Sequence, residues 1–379
     1  MAPNCSSRSD GSEHEGGVGQ GRLRTFHYEA LPWNVVFGTG ALREVRSHVS
    51  TLGFRRALVL STPDQAADAA RVVALLGDIA AGVFAGAVMH VPATTVELAA
   101  TQVRLLNADC SVSIGGGSTT GLGKALSLQL KLPQIAIPTT YAGSEMTNIW
   151  GITANGGKQT GRDRSVVPVM TIYDPELTLS MPASLAASSG LNALAQAVAT
   201  VLSPRTNPMT IALALEAVRL LFHGLPQVLQ APQDLAVRSE VLSGASLAGA
   251  ALGTGATGLH HRLCHVLGGT FDTPHAQTHA ILLPHTVAHD APGAAQGVGR
   301  LREVMRVDDP AQALFALGRR LGTPAGLREI GLRIADLDRV IELATAAPIE
   351  GPVAVTRESL RRLLEGAFDG AAAPWHVST

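Results

Sequence analysis

From Phe54 to about Tyr173, short apolar runs alternate with stretches of helical period. Residues 55–61 (RRALVLS) read as a strand, and 65–76 as the helix that follows. Residues 82–91 read as a second strand region, and 94–108 as a helix with Thr94 or Thr95 at its N-cap. Residues 110–117 read as a buried strand ending in glycines, 118–130 as the helix it feeds, and 133–140 as the next strand. This spacing implies βαβ units and a parallel sheet. After Asp174 the texture changes to Ala/Leu-rich segments of helical period without strand-like alternation, which places a domain boundary near 177–182. Residues 346–355 read as a loop before a last helix over 357–367, and residues 1–22 as a flexible tail.

Composition narrows the class. The 379 residues are enough for two domains. With 29 Lys+Arg against 30 Asp+Glu there is no basic bias, which argues against a nucleic-acid-coating protein. Cys5, Cys110 and Cys264 lie far apart, which excludes a disulfide framework and a four-cysteine zinc site. A reducing cytoplasm is the simplest home. The first residues lack the apolar stretch of a secretory signal, and no membrane span is expected. Lysine is confined to Lys124, Lys131 and Lys158, against 26 arginines, so those positions are candidates for a role Arg cannot fill.

Three segments carry chemistry. Gly115, Gly116, Gly117 and Ser118 stand between a strand and a helix, where backbone N–H groups attract an anion such as phosphate. The loop is neither a Walker A sequence nor a GxGxxG, and a tight turn without ligand is the alternative. Thr139 and Thr140 end the next strand at the sheet's carboxyl edge, where α/β ligands bind. Lys158 lies on a polar, glycine-rich stretch that either folds over this cleft or forms a solvated hairpin. His261 and His265 share one helix face, and His275, His279 and His285 follow, a density that suits either metal binding or proton transfer. Asn192 and Gln196 form a second i,i+4 pair, as compatible with core hydrogen bonding as with a site.

These residues resemble the iron-containing alcohol dehydrogenase superfamily, and within it the maleylacetate reductase branch. The resemblance runs from Phe26 to about Phe368. It is carried by FHYEALPWNVVFGTGAL, GGGSTTGLGKA, IPTTYAGSEMT, KQTGRDRSVVPVMTIYDPELT, GLNALAQAV and LHHRLCHVLGGTFDTPHAQTHAILLPH. It implies a dinucleotide-binding α/β domain over 23–180 and an all-α domain over 181–379, a dehydroquinate synthase-like fold with the active site in the cleft between. The loop Gly115 to Ser118 would hold the pyrophosphate of NADH or NADPH, Thr139, Thr140 and Leu179 would line the cofactor, and Lys158 would approach the nicotinamide. Metal-dependent relatives carry Asp and His where this chain has Asn192 and Gln196; the two other ligand positions match His261 and His275. Two imidazoles and two neutral amides suit Fe2+ or Zn2+ poorly, so no metal is expected.

His265 matches the family's histidine beside the reacting centre. His261, His265 and His275 are therefore the candidate catalytic residues, and Tyr141, Asn192 and Gln196 the candidate substrate-binding ones. Pro348 to Pro352 (PIEGP) replace an arginine-bearing Asn-Pro-Arg-Pro stretch of the reductases. The expected activity is NAD(P)H-dependent reduction of a conjugated keto acid or enone. The alternatives are a specialised-metabolism member with another substrate, or a non-redox reaction on the same fold. A small-molecule substrate and a homodimer are expected, with neither nucleic acid nor membrane as partner. Ser61-Thr62-Pro63 stands where an acidic ribose-binding residue is common, which leaves NADH and NADPH both open.

Overall fold

A computed structural model describes residues 25–154, 157–255 and 257–372; the tail expected over 1–22 lies outside the described residues. The first part runs β1 (Val35–Phe37), α1 (Val45–Thr51), β2 (Ala57–Leu60), α2 (Ala66–Leu76), β3 (Ala80–Phe84), α3 (Ala93–Leu105), β4 (Cys110–Gly115), α4 (Gly117–Leu130), β5 (Gln134–Pro138), β6 (Ile149–Ala154), β7 (Gly157–Arg162) and β8 (Met170–Tyr173). Six strands form one sheet in the order β1-β8-β5-β4-β2-β3, and every neighbouring pair is parallel. Strands β2, β4, β5 and β8 are buried along their whole length. Helices cover both faces of a parallel sheet, so its inner strands read as continuous apolar runs. Ala57 and Val59 pack with Val72, Leu76 and Ile172 on one face, while Leu58 and Leu60 pack with Val96, Leu122 and Leu126 on the other. That is the period-2 alternation of a strand.

Two details differ from the expectation, and in a third the sequence leaves two readings open. The strand region expected over 82–91 is β3, Ala80–Phe84, and the chain then leaves the sheet. It is diverted by β6, where the Thr153 hydroxyl and amide donate to the carbonyls of His90 and Val91. His90 and Val91 sit at φ 65° and 48°, a left-handed turn that such outside bonds must hold. β1 was not foreseen, because three residues carry too little pattern. The polar stretch around Lys158 is β7, antiparallel to β6 in a two-stranded hairpin.

The second part is helical: α5 (Ala183–Leu202), α6 (Pro208–Gln230), α7 (Leu235–Thr254), α8 (Leu259–Phe271), α9 (His275–Asp290), α10 (Ala295–Met305), α11 (Pro310–Arg320), α12 (Leu337–Ala344) and α13 (Arg357–Asp369). Asn207, Asp234 and Asp309 cap α6, α7 and α11 by accepting from first-turn amides. By length and hydropathy alone α5 and α6 would each pass as a membrane span, a test that the core helices of globular proteins also pass. The apolar stretch of α5 is 89% buried inside the protein, as for a central core helix. Its Ala and Leu side chains share one cluster with Val218, Leu221, Val241, Leu283 and Leu301 from the surrounding helices. The two parts meet where α7 crosses the loop after β5. A Cβ on Gly249 would lie 2.2 Å from the Gly143 carbonyl oxygen, so only glycine permits this approach.

Candidate active site

A cleft of about 1820 Å³ opens between the carboxyl edge of the sheet and the helical part. Its floor on the sheet side is the glycine turn. Gly115 has φ +151°, and a Cβ there would lie 2.5 Å from both Gln65 Oε1 and Thr119 Oγ1. Gly115 makes the turn without lining the cleft; Gly116, Gly117 and Ser118 line it, at the N-terminus of α4. The free N–H groups of that first turn suit an anion. Thr139 and Thr140 line the cleft beside them, and Gln65 Nε2 donates to Thr139 Oγ1 at 2.8 Å.

Besides Gly115, two expected residues fall outside the lining. Leu179 follows a 3-10 turn, Pro175–Thr178, that presents Leu177, Ser180 and Met181 to the cleft instead. Tyr141 is fully buried in the helical core, where its hydroxyl accepts from Nη1 of the buried Arg238 at 3.2 Å. It is a core residue, not a substrate contact.

The β6–β7 hairpin is strapped to both parts of the chain. Lys124 Nζ, buried in α4, donates to the carbonyls of Ser144, Thr147 and Ile149 at 2.6, 2.7 and 2.9 Å. Arg162 donates to the carbonyls of Leu252, Gly253 and Gly255 at the end of α7. Lys158 is thereby held in the cleft wall against α8, where a Cβ on Gly269 would be 3.8 Å from its own Cβ. Burial pushes the Lys158 pKa down. Lys158 is a half-buried position of a largely exposed strand, turned to the cleft.

Helices α8 and α9 bring His261, His265, His275 and His279 to the cleft. Ring centroids lie 6.4 Å apart for His261 and His265, 5.5 Å for His261 and His279, and 4.5 Å for His275 and His279. Burial, then the charge of Lys158, pushes His265 down to about 4 and His275 down to about 3. Burial holds His261 and His279 well below the ordinary imidazole range. All four are neutral near pH 7. Asn192 and Gln196 face the same cleft from α5, and Gln196 Nε2 donates to the Ala142 carbonyl at 3.0 Å. Asn192 Oδ1, Gln196 Oε1, both ring nitrogens of His261 and Nε2 of His279 are buried without a partner. Buried polar atoms need partners, so these are positioned to meet a ligand's polar groups or water.

Sequence reasoning named His279 in the histidine-dense stretch without giving it a role, and missed two further residues. His279 lines the cleft, i,i+4 from His275. His260 lies behind, with Nε2 2.9 Å from His279 Nδ1 and Nδ1 3.0 Å from Thr286 Oγ1. His90 joins from the turn after β3, with Nε2 3.4 Å from Asp272 Oδ1, and nothing local marks it.

The donors at the cleft fit a divalent metal poorly. Asn192, Gln196, His261 and His275 bring no negative charge. Among the described residues, one group of three His, Cys or carboxylate donors lies within 4.8 Å of one another, namely His260, Cys264 and His279. There the 2.9 Å separation of two ring nitrogens is a hydrogen bond, which uses a lone pair a metal would need. The glycine turn, by contrast, fits the pyrophosphate of a dinucleotide.

The sequence model of the Fe-containing alcohol dehydrogenase family, C-terminal, matches residues 186–368, and that of iron-containing alcohol dehydrogenase matches 32–175. Maleylacetate reductase of Sphingobium indicum is 47% identical over 345 residues, 91% of this chain and 98% of that protein. Maleylacetate reductase of Burkholderia cepacia is 46% identical over 348 residues, 92% of this chain and 99% of that protein. The crystal structure of maleylacetate reductase from Rhizobium sp. strain MTP-10005 superposes with a TM-score of 0.88 at 45% identity, covering 92% of this chain and 100% of that one.

Proposed function

The chain belongs to the iron-containing alcohol dehydrogenase family, and on that premise we propose that it is an NAD(P)H-dependent reductase of the maleylacetate reductase type, working without a tightly bound metal. The observation that carries this reading is the joining, in one cleft, of an anion-binding glycine turn with neutral histidines and unpartnered buried amide and imidazole atoms.

Gly116, Gly117, Ser118, Thr139 and Thr140 hold the dinucleotide, and Lys158 stands at the nicotinamide end. When bound, the reduced nicotinamide supplies a hydride to the carbon–carbon double bond of a conjugated keto acid. Negative charge then develops on the ketone oxygen. A neutral imidazole can meet such an oxygen with an N–H, as an electrophile that needs no prior protonation. His265, with His261 and His275 beside it, fills that role and passes on the proton. Lys158 and Arg262, cations of the lining, attract a carboxylate of the substrate. The test is NADH or NADPH oxidation with maleylacetate and a panel of conjugated keto acids, alongside cofactor binding. Cofactor binding with no turnover on any of them would leave the non-redox reading.

A second substrate reading rests on Glu350. It lies on the cleft lining and pairs with Arg205, so the mouth carries a carboxylate. That favours a keto acid with fewer charges than a diacid, and the same panel separates the two. We also retain as proposals a cytoplasmic location and a homodimer. Val35 and Phe37 on the edge strand β1 are 42% and 41% exposed, a surface a second copy would cover, which sedimentation of the protein tests.

A further inference from the structure

A hydrogen-bond chain leads from the helical core into the cleft, and its direction can be read step by step. Thr286 Oγ1 lies 3.1 and 3.0 Å from the carbonyls of Leu282 and Leu283, so its one hydrogen goes to the helix backbone. It then accepts from Nδ1–H of His260 at 3.0 Å. A neutral imidazole with hydrogen on Nδ1 has its lone pair on Nε2. That lone pair accepts from Nδ1–H of His279 at 2.9 Å. The same rule leaves the lone pair of His279 on Nε2, the atom buried at the cleft without a partner. Burial keeps both rings neutral, which preserves the sequence of donors and acceptors.

One independent fact agrees with this direction. An unpaired buried N–H is rarer in proteins than an unpaired acceptor. Gln196 has its orientation set in the same sense. Its Nε2 is spent on the Ala142 carbonyl, so Oε1 is what it offers the cleft. Asn192 adds Oδ1.

We propose that His279 is a positioning residue of the site, locked by His260 and Thr286 as a hydrogen-bond acceptor, and that with Gln196 and Asn192 it forms an acceptor surface for a hydroxyl group, filled by water when no ligand is bound. Such a surface repels a carboxylate, which offers acceptors only. It therefore orients a keto acid: its carboxylates go to Lys158 and Arg262, and its hydroxyl, or a bridging water, goes to His279. The inference rests on the proposed reductase reading for the substrate's class, but the direction of the chain does not.

The experiment compares Thr286→Val with Thr286→Ser. Both variants keep the size of the side chain close to native, and Thr286 does not line the cleft. Long-range proton–nitrogen NMR of the ¹⁵N-histidine protein, with His279 assigned by His279→Gln, reads the tautomer. Nδ1–H is expected in the native protein and in Thr286→Ser. Thr286→Val removes the acceptor for His260, which inverts the chain and places the hydrogen on Nε2 of His279. Calorimetry with malate and succinate, dicarboxylates differing by one hydroxyl, reads the acceptor surface. Malate is expected to bind about tenfold more tightly in the native protein and in Thr286→Ser, the worth of one hydrogen bond. That preference is lost in Thr286→Val. A native His279 with hydrogen on Nε2, or equal behaviour of the two variants, overturns the proposal. Failure to reduce any keto acid leaves the spectra untouched, so the two readings fail separately.

Discussion

A histidine that stays neutral in the fold sets the protein's response to acid. His260 and His275 are pushed down to about 3, and His285 to about 4, chiefly by burial, whereas an unfolded histidine titrates near 6.5. Between those values the unfolded chain binds more protons than the folded one. Stability is therefore full above about pH 6.5 and drains away as pH falls toward 4. The melting temperature should drop steeply between pH 7 and 5, and His260→Gln should flatten that slope; a flat native profile counts against buried neutral histidines. His265→Ala should lower turnover by about 10²–10⁴-fold with NADH affinity kept, and a variant within a few-fold of native removes His265 from the chemistry. His261 and His265 were legible because one face of a helix shows in spacing, and His275 because it matches a family motif. The role of His260 and its bond to His279 were not, since that partnership joins positions on α8 and α9 that are neighbours only in the folded protein.

At the scale of elements, the sheet was legible, while the sequence leaves the stretch around Lys158 open between a flap over the cleft and a hairpin. β4 (CSVSIG) and β5 (QIAIP) are buried along their whole length, so their sequences are short uncharged runs rich in apolar residues between turn residues. β7 reads GKQTGR, with nothing in its own composition to make it a strand. Its place is set by Arg162 on the end of α7 and by Lys124 below β6, contacts from distant parts of the chain. The glycine turn lies between these cases: its sequence was visible, but not which glycine does what. Gly115 needs its positive φ. A Cβ on Gly116 would press on Thr140 at 3.1 Å, whereas one on Gly117 would meet only Ala142 Cβ, at 3.7 Å. Gly117→Val should thus keep the fold while filling the anion's approach to the start of α4. We expect its melting temperature to stay within a few degrees of native and its NADH affinity to fall at least about tenfold. Native affinity in the folded variant would take the pyrophosphate away from this turn.

The whole molecule is two parts closing on one cleft, and the charge that each brings decides what the cleft holds. The helical part contributes Asn192 and Gln196 from α5, His261 and His265 from α8, and His275 and His279 from α9; the α/β part contributes Lys158 from its hairpin. Acidic residues lie at the periphery: Asp64 and Asp68 by the loop after β2, and Glu350 at the mouth, paired with Arg205. A divalent ion at the centre would have only neutral ligands and would face the cations Lys158 and Arg162. Three neutral imidazoles can hold zinc when they converge, but among the described residues no three of the cleft histidines bring ring nitrogens within 4.8 Å of one another, so this centre lacks converging donors and a carboxylate rather than space. Protein purified without chelator should contain far less than one equivalent of iron or zinc, and its activity should survive chelation. Asn192→Asp combined with Gln196→His supplies the missing charge and a third imidazole, and should raise divalent-metal content toward one equivalent. Stoichiometric iron or zinc in the native protein, with activity lost on chelation and restored by that metal, would mean that the folded cleft closes around an ion in a way its neutral amides do not disclose.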